Sequence, residues 1–168
     1  MVGLSGSGKS TTAQQLAQQM GAIRLRSDAV RKHLAGISIH AKGGDEIYTS
    51  EMSDRTYTRL ISLGVKLANC GHSIILDAKF DRKAKRQEAI AAAKAQSIPL
   101  TFLHCAAPLE VLKQRVIART GDIADATADI LAKQSMEPFS ANATVQVIDT
   151  TQTPAEIAQQ LSSAFGLY

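Results

Sequence analysis

Between Gly3 and Ser10 the chain reads Gly-Leu-Ser-Gly-Ser-Gly-Lys-Ser. Glycines at 3, 6 and 8 open backbone conformations closed to residues with a Cβ, so successive amide N–H groups can turn toward one centre and hold an anion. The spacing is G-x-x-x-x-G-K-[ST]. It adds Lys9, which can reach the β- and γ-phosphates of a nucleotide, and the Ser10 hydroxyl, which suits Mg²⁺. Leu4, Ser5, Gly6, Ser7, Gly8, Lys9, Ser10 and Thr11 are therefore the expected nucleotide-binding residues. The bland alternative is a flexible glycine-serine turn.

The flanks favour the phosphate loop. After Lys9, apolar residues fall at Ala13, Leu16, Ala17 and Met20, with glutamines between them, which is a helical stripe ended by Gly21. A helix pointing its N-terminus at the loop adds partial positive charge to an anion site. On the other side only Met1 and Val2 precede Gly3, where about five buried strand residues are expected. The first strand is read as truncated, from a larger chain.

With 168 residues, 45% hydrophobic and 20% charged, the sequence reads as one globular domain, residues 1–168. No apolar run has the length of a membrane span, so no membrane partner is expected and the cytoplasm is the expected compartment. Cys70 and Cys105 are too far apart in sequence for a Cys-x-x-Cys site and are expected to pack as small apolar residues. A net charge of +4 suits an anionic ligand, while 4% aromatic content supplies little for stacking bases.

Apolar β-branched runs alternate with helical patterns, which predicts a three-layer α/β fold with helices on both faces of a parallel sheet. Strands are expected at 22–26, 73–77, 100–105 and 144–149, making five with the stub at Met1-Val2. Helices are expected at 9–20, 28–35, 51–70, 82–96, 108–119, 126–135 and 154–165, and loops at 36–50 and 120–127. Ligands of such sheets collect beyond the carboxyl ends of the strands.

Four strand ends carry polar candidates. Asp28 stands at a helix start, either as an N-cap, a part Ser27 can also play, or as the base that takes a proton from an attacking hydroxyl. Arg31 lies one turn on, as a substrate contact or a surface ion pair. Asp77 closes the strand Ile74-Ile75-Leu76, as a magnesium-shell carboxylate or a turn residue. Lys79, Arg82, Lys83, Lys85 and Arg86 crowd a helix N-terminus, where cations are disfavoured. An anionic substrate or simple exposure accounts for them, and Lys79 and Arg82 are the substrate-binding candidates. Arg115 and Arg119 are one turn apart and precede Gly121-Asp122, so they can neutralise transferring phosphate oxygens when a lid over about 115–127 closes, or be ordinary exposed arginines. The four histidines share no ligand spacing.

Together, Val2 to Ser10, Arg26-Ser27-Asp28 with Arg31, Ile75-Leu76-Asp77-Ala78, Arg115 to Arg119 with Gly121-Asp122, and Val147-Ile148-Asp149-Thr150 resemble the small P-loop kinases of the AAA-domain predicted-kinase group. That group is similar to gluconate kinase, adenylylsulfate kinase, zeta toxin and polynucleotide kinase domains. The resemblance implies the P-loop nucleoside triphosphate hydrolase fold and ATP with Mg²⁺ as cofactors. It puts Lys9 and Ser10 on ATP·Mg²⁺, Asp28 as base, Arg31 on substrate, Arg115 and Arg119 in the lid, and residues 147–150 before a loop near adenine. It also implies a fused or upstream aminoglycoside-phosphotransferase-like domain. The chain departs from the group in its stub of a first strand and at Lys79, where relatives often carry a small hydroxyl residue.

The expected function is an ATP-dependent kinase acting on a hydroxyl of a small molecule, with Lys9, Asp28, Arg115 and Arg119 as catalytic residues and Ser10 and Asp77 at the metal. A 5′-hydroxyl polynucleotide kinase, with residues 79–86 as a phosphate track for nucleic acid, is the second reading. An ATP-binding regulatory module of a larger protein is the third. A GTPase switch is disfavoured because no N-K-x-D sequence occurs.

Overall fold

The computed structural model of the chain describes residues 1–118 and 134–167. Arg119, the loop 120–127 and most of the helix expected at 126–135 lie outside the described residues. Gln134 and Ser135, its last two positions, are not helical.

Each apolar run becomes a short strand within two residues of its expected bounds: β1 (Ile23–Arg26), β2 (Ile74–Asp77), β3 (Phe102–Ala106) and β4 (Val145–Asp149). The helices are α1 (Lys9–Met20), α2 (Ser27–Leu34), α3 (Ser50–Asn69), α4 (Lys83–Ala95), α5 (Leu109–Ala118) and α6 (Pro154–Phe165). Local chemistry sets their ends. Thr49 caps α3, Thr153 and Glu156 form a capping box on α6 with Pro154 in its first turn, and Gly21 and Gly166 take left-handed conformations after α1 and α6. The expected loop 36–50 also holds a single 3-10 turn, Asp45–Tyr48, too short to leave a periodic signal.

Of the five parallel strands expected, four form two parallel pairs. In one, β1 runs beside β2 with Arg26 opposite Asp77; in the other, β3 runs beside β4 with Ala106 opposite Asp149. Residues 1–3 lie between the pairs. Met1 N donates to Leu76 O (2.8 Å), Val2 N to Leu103 O (2.8 Å), Cys105 N to Val2 O (2.9 Å) and Gly3 N to Lys79 O (3.1 Å). Val2 pairs with His104 as an isolated parallel bridge.

Helices cover both faces. Leu16 of α1, Ile75, Leu103, Cys105, Ile148 and Leu161 of α6 form one core; Val2, Tyr57, Leu60, Ile61, Phe80 and Phe102 form the other, beneath α3 and α4. Leu60 and Leu161 are fully buried, and each such burial contributes about 1.5–3 kcal/mol. Cys105 packs as expected, whereas Cys70 follows the last turn of α3 and is exposed.

Burial, together with the Arg86 charge, holds the His104 imidazole below its ordinary value. The unfolded chain therefore binds that proton more tightly, so stability grows as pH rises toward the unfolded value and is lost below the folded one. Melting temperature is expected to climb toward about pH 6.5 and then level off, and that climb is expected to shrink in His104→Asn. An identical profile in that variant would contradict the burial of the imidazole.

Candidate active site

Residues 3–8 form a tight loop whose glycines are needed sterically. Gly6 and Gly8 have φ of 79° and 78°, and a Cβ on Gly6 would lie 2.5 Å from the Leu112 carbonyl oxygen. A Cβ on Gly3 would lie 2.6 Å from Ser7 Oγ and 2.7 Å from Cys105 O. Lys9 folds back so that Nζ donates to Leu4 O at 2.7 Å, which holds its ammonium across the loop. The first turn of α1 has neither a side-chain cap nor an acidic residue, unlike α3 and α6. Its amides, the buried Ser7 hydroxyl that lacks a hydrogen-bond partner, and Lys9 together make a cradle that fits a polyphosphate. Ser10, half-buried, stands in that same first turn. Gly6→Ala is expected to weaken nucleotide binding about tenfold or more, because both the left-handed backbone and the Leu112 contact must yield. Titration calorimetry with ATP is the check; unchanged affinity would show that the loop tolerates the strain.

Asp28 is in the first turn of α2, which has no side-chain cap, so the capping alternative does not describe it. It is half-buried and lies near Tyr57, close enough for its charge, with those of Arg31 and Asp81, to act on that hydroxyl. Arg31 is buried. Its Nη1 donates to Ile47 O (3.1 Å) and to Ser53 Oγ (3.3 Å), and its guanidinium lies 5.0 Å from the centre of the Tyr48 ring. In this arrangement Arg31 anchors the 3-10 turn at the edge of the site.

Asp77 is 5% exposed and accepts from Arg24 Nε at 3.0 Å and Nη2 at 2.5 Å, with Arg26 Nε at 3.8 Å. Parallel pairing puts Arg26 opposite Asp77, and Arg24, two residues earlier, projects from the same face. The carboxylate is thus already paired, and among the described residues no group of three acidic, histidine or cysteine side chains could hold a metal. Of the two metal candidates, Ser10 stands at the loop and Asp77 serves as counter-ion to β1.

The basic run after β2 is divided by its partners. Lys79 pairs with Asp81 (2.9 Å), and Lys85 with Asp54 (2.7 Å) and Glu88 (2.9 Å). Arg86 is fully buried and donates to the carbonyls of Phe80, Asp81, Glu137 and Pro138 at 2.7–2.9 Å, with its guanidinium 4.7 Å from the Phe139 ring centre. Arg82 and Lys83 are exposed. Arg115 donates to Thr150 O (2.6 Å) and Oγ1 (3.3 Å), and Thr150 packs against Gly8, so Arg115 buttresses the phosphate loop from the β4 side.

Several residues at the site had no motif to announce them. Phe80 has a left-handed backbone, φ 45°, costing about 1–3 kcal/mol, and its amide donates to Tyr57 Oη at 3.1 Å. Burial pushes the Tyr57 hydroxyl up to about 12, so it stays protonated. This contact sets the turn whose Lys79 carbonyl accepts from Gly3 of the loop. Gln134 pairs with Ser5 twice: its Oε1 accepts from Ser5 N (2.9 Å) and its Nε2 donates to Ser5 Oγ (3.0 Å). A buried tyrosine at helical spacing reads as core, and an isolated glutamine carries no sequence signal.

A glycine-built cradle at the start of a helix, on parallel strands with helices on both faces, defines a P-loop α/β protein. A family model described as an AAA domain matches residues 1–138, and the chain belongs to that family. The uncharacterized protein Rv2004c of Mycobacterium tuberculosis is 30% identical over 135 residues, 77% of this chain. The chain spans only 27% of that relative's length. In solved structures the fold is shared with a sugar kinase from Janibacter sp. (TM-score 0.73, 23% identity, 99% of this chain and 92% of that one). It is also shared with the Mycobacterium tuberculosis APS kinase CysC in complex with AMPPNP and APS (0.72, 22%, 99% and 93%). A gluconokinase from Sinorhizobium meliloti is similar as well (0.69, 20%, 98% and 89%).

Proposed function

We propose that this chain is an ATP-dependent kinase that moves the γ-phosphate to a hydroxyl of a small molecule. The observation that carries the reading is the pairing of an uncapped phosphate cradle with a half-buried, non-capping carboxylate, Asp28, on the helix that follows the next strand. The two are linked through Tyr57, Phe80 and Lys79 to Gly3. The loop amides and Lys9 bind and orient the triphosphate, and Ser10 would hold its magnesium ion. Bound Mg·ATP supplies the electrophilic phosphorus and neutralises charge on the phosphate oxygens. Asp28 accepts the acceptor's proton, while Arg31 and Tyr48 shape the wall beside it. Arg115 and Arg119 are the proposed charge-stabilising arginines, Arg115 reaching phosphate only by leaving Thr150. Lys79 and Arg82 are the proposed outer substrate contacts, and Asp77 acts through water if it contributes to the magnesium shell. The curated relative's greater length leaves room for a fused phosphotransferase-like domain.

A nucleic-acid acceptor is disfavoured by the partners of Lys79, Lys85 and Arg86, which leave few cations of the run for a phosphate track. The deciding experiment is transfer of radiolabelled γ-phosphate across a panel of sugars, antibiotics, nucleosides and 5′-hydroxyl oligonucleotides. Labelling of a small-molecule hydroxyl is expected. Labelling of oligonucleotides alone would move the assignment to the polynucleotide class, and slow ATP turnover without any labelled acceptor would favour a regulatory module.

A further inference from the structure

Ser5, inside the phosphate loop, meets a residue 129 positions away. Gln134 Oε1 accepts from Ser5 N at 2.9 Å, and Gln134 Nε2 donates to Ser5 Oγ at 3.0 Å. We propose that Gln134, with the Ser5 hydroxyl it orients, binds the terminal phosphate of ATP and makes the site prefer a nucleoside triphosphate to a diphosphate. This rests on the nucleotide-binding part of the function proposed above, and on neither the base nor the acceptor.

The amides of the loop fall into two sets. Gly3 N donates to Lys79 O, Ser5 N to Gln134 Oε1 and Ser7 N to Leu4 O (3.2 Å), so the amides at 3, 5 and 7 are occupied within the protein. Those of Gly6, Gly8 and Ser10 have no partner among the described residues and are left for an anion. Gln134 therefore takes an amide outside the anion-facing set, and its bond is compatible with a bound nucleotide. What the pair adds is donors. Ser5 Oγ accepts from Gln134, which leaves its own proton to point elsewhere, and the second hydrogen of Gln134 Nε2 has no acceptor among the described residues. Lys9 and Gln134 hold one peptide group from opposite ends, the ammonium on Leu4 O and the carboxamide on Ser5 N. In a loop of this spacing the backbone amides cradle the α- and β-phosphates while the lysine reaches β and γ. The peptide that Lys9 grips thus stands at the γ end, and the two donors stand with it.

The carboxamide is carried on a fixed base. Three residues on, Glu137 N donates to Asp81 O (2.9 Å), Arg86 holds the carbonyls of Glu137 and Pro138, and Phe139 packs against Phe102 and His104. The directions of its donors are set before a nucleotide arrives, which lowers the ordering cost of binding. A carboxamide also suits two tasks at once: its oxygen keeps the Ser5 amide while its nitrogen donates to phosphate. A carboxylate lacks the donor and a lysine lacks the acceptor.

The test is titration calorimetry of the 168-residue chain and three variants with AMPPNP and with ADP, both with magnesium. The unsubstituted chain is expected to prefer AMPPNP. Gln134→Ala and Ser5→Ala should each weaken AMPPNP by about 10–100-fold, the range for a hydrogen bond to a charged group, and leave ADP within about threefold. Gln134→Glu keeps an acceptor for Ser5 N but turns negative charge toward the terminal phosphate, so it should lose AMPPNP binding further while ADP changes far less. A role confined to bracing the loop predicts equal losses for both nucleotides in Gln134→Ala and near-normal binding in Gln134→Glu; either result would overturn the proposal. So would tighter binding of both in Gln134→Ala, which would make Gln134 a plug on Ser5. Failure of the unsubstituted chain to bind either nucleotide would remove the ATP reading itself, whereas a transfer screen that labels no acceptor leaves the calorimetric preference standing.

Discussion

Asp28→Asn is expected to slow γ-phosphate transfer by about 10²–10⁴-fold while ATP affinity by calorimetry stays within about twofold. The two effects separate because Asp28 stands in the first turn of α2, outside the phosphate loop, and α2 has no side-chain cap for its replacement to remove. A base acts only on the attacking hydroxyl, so its loss should appear in kcat and flatten the acidic limb of the pH profile. Lys9→Ala supplies the contrast. Lys9 lies across the phosphate loop on Leu4 O, so its removal should cost both ATP affinity and transfer. Full transfer activity in Asp28→Asn would defeat the base assignment and leave Lys9 and the loop amides to account for catalysis by positioning and charge alone.

Arg86→Ala is expected to destabilise the fold by about 3–5 kcal/mol, lowering the melting temperature by roughly 10 °C. Its guanidinium ties the turn after β2 to residues 137 and 138, with Phe139 against its face. Removing it takes the donor from four carbonyls, that of the buried Phe80 among them, and opens a cavity beside the second core. Arg86→Lys is expected to recover only a minor part, since one ammonium cannot serve four carbonyls in a planar fork. Thermal unfolding by circular dichroism reads both variants. A loss below about 1 kcal/mol would mean that the 137–139 segment holds its place without Arg86.

The contrast between these residues marks what can be read from a one-dimensional chain. The expectations for Asp28 and Lys9 rest on local pattern, because phosphate chemistry asks for a residue type at a strand end or after a glycine spacing. Arg86 was legible only as one cation in a run, and its partners at 137 and 138 are some fifty residues away. Arg31 looked like a substrate contact from its place one turn after Asp28, yet its bonds go to Ile47 and Ser53. Tyr57 and Phe80 matter through a backbone angle that no pattern records.

Local rules in the sequence were sufficient for the elements: glycine positions made the cradle, apolar alternation made the strands, and hydroxyl caps set the starts of α3 and α6. Such signals rest on steric and hydrogen-bonding demands within a few residues. Tertiary structure alone decided that Asp77 faces Arg24, that Arg86 is a buried staple rather than a phosphate track, and that the strands split into two pairs. Those outcomes depend on which distant carbonyl or carboxylate satisfies a buried charge, a choice made between residues far apart in sequence.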